Sequence, residues 1–210
     1  MKIDFVSDVA CPWCAVGLNA LERALEKIGD DIPVELSFHP FELNPQMAAE
    51  GEDATEHLMR KYGLSQEQLE RNRAGLRERG ASVGFQFGDR ARVWNTFDAH
   101  RLIHWAGLEG RQREMKHALL QAYHGRNDNP GDAEVLYRAA VEAGLDGERA
   151  REVIASDRYA AEVRAQERHW QQMGINSVPS IIINDRHLIQ GGQPPEVFEQ
   201  ALRQLAQAAE

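Results

Sequence analysis

Cys11 and Cys14 are the only cysteines in the sequence, and Pro12 and Trp13 lie between them. Disulfide exchange needs a thiolate, a second sulfur close enough to resolve the mixed disulfide, and a field that lowers the first thiol's pKa. A spacing of three in the first turn of a helix puts both side chains on one face. The helix N-terminus there supplies unpaired N–H groups and a partial positive charge. Cys11 falls at or just before the first helical residue, so it is expected to be the more exposed, attacking sulfur. Cys14, one turn in, is expected to be shielded and to resolve. Pro12 suits a first helical position because it has no N–H to waste, and Trp13 would form an apolar rim for a partner's disulfide. No metal or organic cofactor is implied, since two sulfurs store two electrons themselves.

Two other readings of the pair are weaker. Inert structural cysteines are usually buried away from helix starts. A zinc set completed by His100 and His104, which are four apart in a helical segment, would enclose 85 residues between Cys14 and His100, far beyond the roughly 12–15 of finger-like sites. The two histidines read better as a partly exposed helical face or as the lining of a cleft above the sulfurs. Asn95, in the segment Asn95 to Arg101, reads equally as a polar group offered to that cleft or as part of a capped helix start. Asp4 or Asp8 is a candidate proton relay to Cys14, although most acidic residues are simply solvated.

A second unusual element is Ser177-Val178-Pro179-Ser180, where a proline opens a run that otherwise reads as a central apolar strand. Either Pro179 is an ordinary trans proline at a strand start, or a cis Val178–Pro179 bond turns the chain and exposes the Val178 backbone to an extended substrate.

The elements that must position these groups follow from periodicity. Residues 3–7 and 33–39 read as strands, with a helix from Pro12 to about Ile28 between them, stopped by Gly29. This is a βαβ unit with a right-handed crossover. From about Thr55 to Met173 the pattern turns helical, with pieces at 54–62, 65–79, 94–107, 111–125, 132–143, 147–155 and 157–173. Ser65, Asp132 and Asp157 are their expected caps. The β signal returns at Ser180–Ile183 and His187–Ile189 around an Asn184-Asp185 turn. A last helix follows Pro194-Pro195.

Composition narrows the function. A net charge of −9 and a pI near 5.4 give nonspecific phosphate binding no support, so nucleic acid is not an expected partner. No run approaches the roughly 18 apolar residues that cross a bilayer, so no membrane association is expected. The start reads as a strand rather than a secretory signal, and a cytoplasmic protein is expected. Trp94, Phe97, Trp105 and Tyr123 could present an apolar groove, though aromatics at helical spacing are more often core.

With Cys11-Pro12-Trp13-Cys14 after the first strand, a long helical middle, and Val178-Pro179 opening a hairpin before a final helix, the chain resembles the DsbA family of the thioredoxin superfamily. Ile3-Asp4-Phe5-Val6-Ser7-Asp8, Phe41-Glu42-Leu43-Asn44-Pro45, Asn95-Thr96-Phe97-Asp98-Ala99-His100-Arg101 and Gly191-Gly192-Gln193-Pro194-Pro195 look most like its FrnE-like branch. The resemblance implies an α/β, thioredoxin-like fold (β-α-β … β-β-α) with a large all-helical insertion. The core would comprise 1–48 and 174–210, and 49–173 would cap the active site. It further implies a nucleophilic Cys11, a resolving Cys14, a cis Pro179 beside them, and thiol or disulfide protein substrates or glutathione as partners. Trp13 stands where periplasmic DsbA proteins favour histidine, which leaves the direction of catalysis open. The competing resemblance is to glutathione-dependent 2-hydroxychromene-2-carboxylate isomerases and kappa-class transferases, which usually carry serine in place of the first cysteine.

Overall fold

The computed structural model describes residues 1–208. Strand β1 (Lys2–Ser7) is buried from Ile3 onward on both faces, which requires covering layers above and below it. Helix α1 (Pro12–Ile28) supplies one of them through Ala15, Val16, Leu18 and Leu21. Proline occupies its first turn and Gly29, at φ 57°, ends it. Strand β2 (Glu35–Pro40) then runs parallel to β1, with Phe5 opposite Phe38.

The central part of the chain carries β3 (Glu52–Asp53), α2 (Ala54–Tyr62), α3 (Gln66–Ser82), β4 (Arg92–Val93), α4 (Phe97–Leu108), α5 (Gln112–Leu120), a π-helical turn at Gln121–Gly125, α6 (Ala133–Glu142), α7 (Gly147–Ile154) and α8 (Ala160–Gln172). Strands β5 (Ser180–Ile183) and β6 (His187–Gln190) form an antiparallel hairpin, and α9 (Pro195–Gln207) packs on α1. Asn184 and Asp185 both take positive φ at the hairpin turn, which the Arg186 N–H closes by donating to the Ile183 carbonyl at 3.2 Å, and three residues, 184–186, separate the paired Ile183 and His187. The sheet order is β2-β1-β5-β6, with β5 antiparallel to β1. One apolar core joins the two parts. Phe5, Val16 and Leu21 from the sheet and its helix belong to the same cluster as Leu102, Trp105, Leu119 and Tyr123 from the central helices.

Three expectations change. The insertion is not all helical: Glu52 and Asp53 pair antiparallel with Val93 and Arg92. Two residues per strand leave no alternation to read, and Asp53 also caps α2 by accepting from the N–H groups of Thr55 and Glu56. Ser65 and Asp132 cap as expected, Ser65 within a reciprocal capping box with Gln68. Asp157 does not cap: its carbonyl closes a turn to Ala160, and α8 starts after Tyr159, which sits in the left-handed region at φ 65°. The 94–107 helix starts at Phe97, because Asn95 bonds the Phe97 N–H instead of joining the helix.

Candidate active site

A short turn carries the chain from β1 into α1, and Asp8 holds it. The Cys11 N–H donates to the Asp8 carbonyl at 3.2 Å, and the Ala10 N–H donates to the Asp8 carboxylate at 3.1 Å. Cys11 is the N-cap of α1 with an extended backbone, yet its side chain caps nothing. Its sulfur is therefore left for other contacts, and the thiol reaches the Val178 carbonyl at 3.5 Å. The Val178–Pro179 peptide is cis. Pro179 lies against α1 at Gly17, where a Cβ would come within 3.0 Å of the proline ring. A glycine there is what lets the loop reach the sulfurs.

The two thiols are displaced in opposite directions. Cys11 is held below the ordinary thiol range, chiefly by the hydrogen bond it receives from Cys14. The backbone N–H groups of Cys14 and Trp13 add to this, against burial and the Asp8 charge. Cys14 is pushed well above the ordinary range by burial and by its role as donor to Cys11. Cys14 is fully buried and Cys11 is 5 % exposed, so the attacking sulfur is less open than its helix-end position suggests. It forms part of the floor of a cleft.

Behind the sulfurs lies a closed polar layer. The Asp8 carboxylate, fully buried, accepts from the Leu43 N–H at 2.7 Å and the Thr96 hydroxyl at 2.7 Å, and lies 3.2 Å from His100 Nε2. Burial alone would raise its pKa, but His100 and the N–H groups of Leu43 and Ala10 hold it below the usual carboxylate range. Lys116, on α5, is 1 % exposed. Burial lowers its pKa, and the charges of Cys14, Asp8 and Cys11 oppose that shift, so the ammonium lies within electrostatic reach of both sulfurs. His124 donates from Nε2 to the Val9 carbonyl at 2.7 Å. Its pKa is lowered to about 3, mainly by burial and then by Arg90.

In front of the sulfurs a cleft of about 1280 Å³ opens between the strand-to-helix turn and the α2–α3 pair. Ala10, Cys11, Pro12, Trp13 and Val178 line one end, and Phe41, Leu43, Leu58, Tyr62, Leu69, Leu76 and Phe87 supply apolar walls. Trp13 is 41 % exposed at the rim, and Gly192 approaches it so closely that a Cβ there would sit 3.2 Å from its ring.

The histidine and asparagine expectations need correction. Neither Asn95, His100 nor His104 lines this cleft. Asn95 ties the Met47 carbonyl to the start of α4, and His100 faces Asp8 behind the sulfurs. His104 packs on Tyr159 and bonds Gln166. Four-residue spacing put both histidines on one helix, but the first points into the polar layer and the second toward α8. Among the described residues no group of three or more metal-ligating side chains converges, and no helix is long and apolar enough to cross a membrane. Sequence reasoning missed Lys116, His124 and the basic wall of the cleft. Lys116 did leave a trace, since it interrupts an apolar stripe formed with Leu119, Leu120 and Tyr123 at helical spacing.

The chain is 37% identical to the probable DsbA oxidoreductase SCO1869 from Streptomyces coelicolor, whose solved structure superposes with a TM-score of 0.88 over 97% of this chain and 89% of that one. YwbO of Bacillus subtilis (strain 168), an uncharacterised protein, is 28% identical over 96% of both chains. A 2-hydroxychromene-2-carboxylate isomerase structure, 16% identical, gives a TM-score of 0.71 over 100% of this chain and 98% of that one, a likeness of fold alone. The sequence pattern of the DSBA-like thioredoxin domain matches residues 2–203, and the chain belongs to that family.

Proposed function

We propose that this protein is a dithiol–disulfide oxidoreductase in which Cys11 attacks and Cys14 resolves. The observation that carries the reading is the opposed displacement of the two thiols: one turn of α1 holds a sulfur favoured as thiolate at a cleft floor and a second kept protonated behind it. The Cys11 thiolate attacks one sulfur of a substrate disulfide, forming a mixed disulfide and releasing the other half as a thiolate. Cys14 then loses its proton, attacks the Cys11 sulfur and expels the second half. The protein pair gives up two electrons, and the substrate leaves as two thiols. The reverse sequence oxidises a dithiol. The Val178 carbonyl, beside the attacking sulfur, is placed to pair with an extended substrate segment. The Lys116 charge acts on Cys14 and favours its thiolate, whereas the Asp8 charge bears on Cys11.

The isomerase-type reading needs the first sulfur position to activate glutathione and gives Cys14 no task. Equilibration against a glutathione redox buffer, with acid quenching and alkylation of remaining thiols, tests the proposal. A reversible two-electron transition that disappears in Cys11→Ser supports it. Failure to form a disulfide at any poise sinks it.

A further inference from the structure

The cleft in front of Cys11 is basic in a chain with an acidic surplus of nine charges. Lys61, Arg71, Arg73, Arg77, Arg79 and Arg90 line it. Elsewhere most cations sit beside carboxylates, as Arg113 does with Glu22, Arg126 with Asp128, Arg149 with Glu109 and Arg151 with Glu134. In the cleft only Arg71 does, pairing with Glu67. The others make neutral contacts or none among the described residues. Lys61 donates to the Leu43 carbonyl and Asn44, Arg73 to the Thr55 hydroxyl, Arg79 to the Gly192 carbonyl and Arg90 to the Tyr123 hydroxyl. In so acidic a chain, a set of cations without acidic partners, gathered on one concave surface, marks where a ligand supplies the negative charge. Of the two acids in the lining, Glu42 is already bonded to Arg164, which leaves Asp89.

The cleft volume of about 1280 Å³ lies just above the roughly 300–1,000 Å³ typical of small-molecule sites. Its apolar walls alternate with the cations, and it ends at Cys11. We propose that the cleft selects a small disulfide bearing two or more carboxylates, held by Lys61, Arg73, Arg77 and Arg90 while Cys11 attacks its sulfur. This rests on the exchange reading above and names the substrate class of the same site. The Cys11 thiolate forms the mixed disulfide with one half and the other departs as an anionic thiolate. Cys14 closes the intramolecular disulfide and expels the second half, so the substrate disulfide is the two-electron oxidant.

The fully reduced protein is mixed with glutathione disulfide, with its ester whose carboxylates are masked, or with neutral bis(2-hydroxyethyl) disulfide. Each rate is normalised to that of a short unstructured dithiol peptide. The normalised rate with glutathione disulfide is expected to exceed the other two by about tenfold at low ionic strength. The advantage should shrink several-fold as salt rises to about 0.5 M, where the Debye length falls toward about 4 Å. Arg73→Gln and Arg77→Gln, on the side of α3 that lines the cleft, should each cut the anionic-to-neutral ratio by about threefold. Equal normalised rates for all three probes, insensitive to salt, would overturn charge selection while leaving exchange intact. No oxidation by any probe would overturn the exchange reading and this one with it. An acidic protein disulfide that outpaces glutathione disulfide would make this a protein-handling groove and overturn the proposal for a small ligand.

Discussion

Cys11 and Cys14 leave the same turn of one helix and meet opposite surroundings. The front of the site is an open cleft with apolar walls and cations that, Arg71 apart, lack acidic partners among the described residues. The rear is a closed layer in which Asp8 takes donors from three separate segments, at Leu43, Thr96 and Ala10, with a buried Lys116 nearby. The helix N-terminus alone would lower both thiols. Burial and the direction of the hydrogen bond between the sulfurs separate them. The contrast teaches that the four-residue motif sets the distance between the sulfurs, while residues far away in sequence help set which one reacts.

The sharpest way to break this contrast is to remove each sulfur in turn. Cys11→Ser should reduce exchange by about 10³-fold or more, whereas Cys14→Ala should keep the first attack and accumulate a mixed disulfide, visible as added mass. Equal loss of the first step in both variants would erase the assigned asymmetry. Next comes the rear layer. Asp8→Asn removes the charge around which Leu43, Thr96 and His100 are arranged, and should cost about 2–4 kcal/mol of folding stability in urea titration. Lys116→Met should slow release of the second thiol by about tenfold near neutral pH, because the ammonium favours the Cys14 thiolate. Its effect on initial alkylation of Cys11 should be smaller.

A subtler test reads the hydrogen bond between the sulfurs. The pH midpoint for alkylation of Cys11 should lie below that of an ordinary thiol and move upward in Cys14→Ala, since the donor that favours the thiolate is gone. A last test concerns acid stability. Folded His124 titrates at about 3, against about 6.5 in an unfolded chain. Protonation therefore favours unfolding, and stability should fall by about 1.4 kcal/mol per pH unit between about pH 6 and pH 4. His124→Gln should flatten that limb. The Asp8 contribution, from a depressed carboxyl, is full above about pH 3.9 and is lost only as pH falls through its lower folded value.

The helix bearing the sulfurs was legible from its ends, because Pro12 and Gly29 mark both and an apolar stripe runs between them. The hairpin was legible from Asn184-Asp185, the one place among the described residues where two adjacent side chains take positive φ. The start of α8 was not, because its N-cap residue is a left-handed Tyr159 and Asp157 serves a turn. In the site, local order revealed the motif and the unusual Pro179. The rest depends on how α2, α3 and α5 fold back over β1. Lys116 lies 102 positions from Cys14, and four arginines interspersed with acids in α3 look like a solvated helix until its basic side is seen against the cleft.

Strand β1 pairs on one side with β2, close behind it in the chain, and on the other with β5, where Ile3 meets Ile183. At translation rates of about 5–20 residues per second, the roughly 180 residues between those partners take about 9–36 s to emerge. During that interval the nascent chain has one edge of its central strand unsatisfied and both thiols already synthesised, with neither the Val178 carbonyl nor the Pro179 loop yet made to cover them. Both sulfurs thus emerge well before the loop that shelters them, so the newly made pair meets the redox buffer of its surroundings before its own fold can influence it.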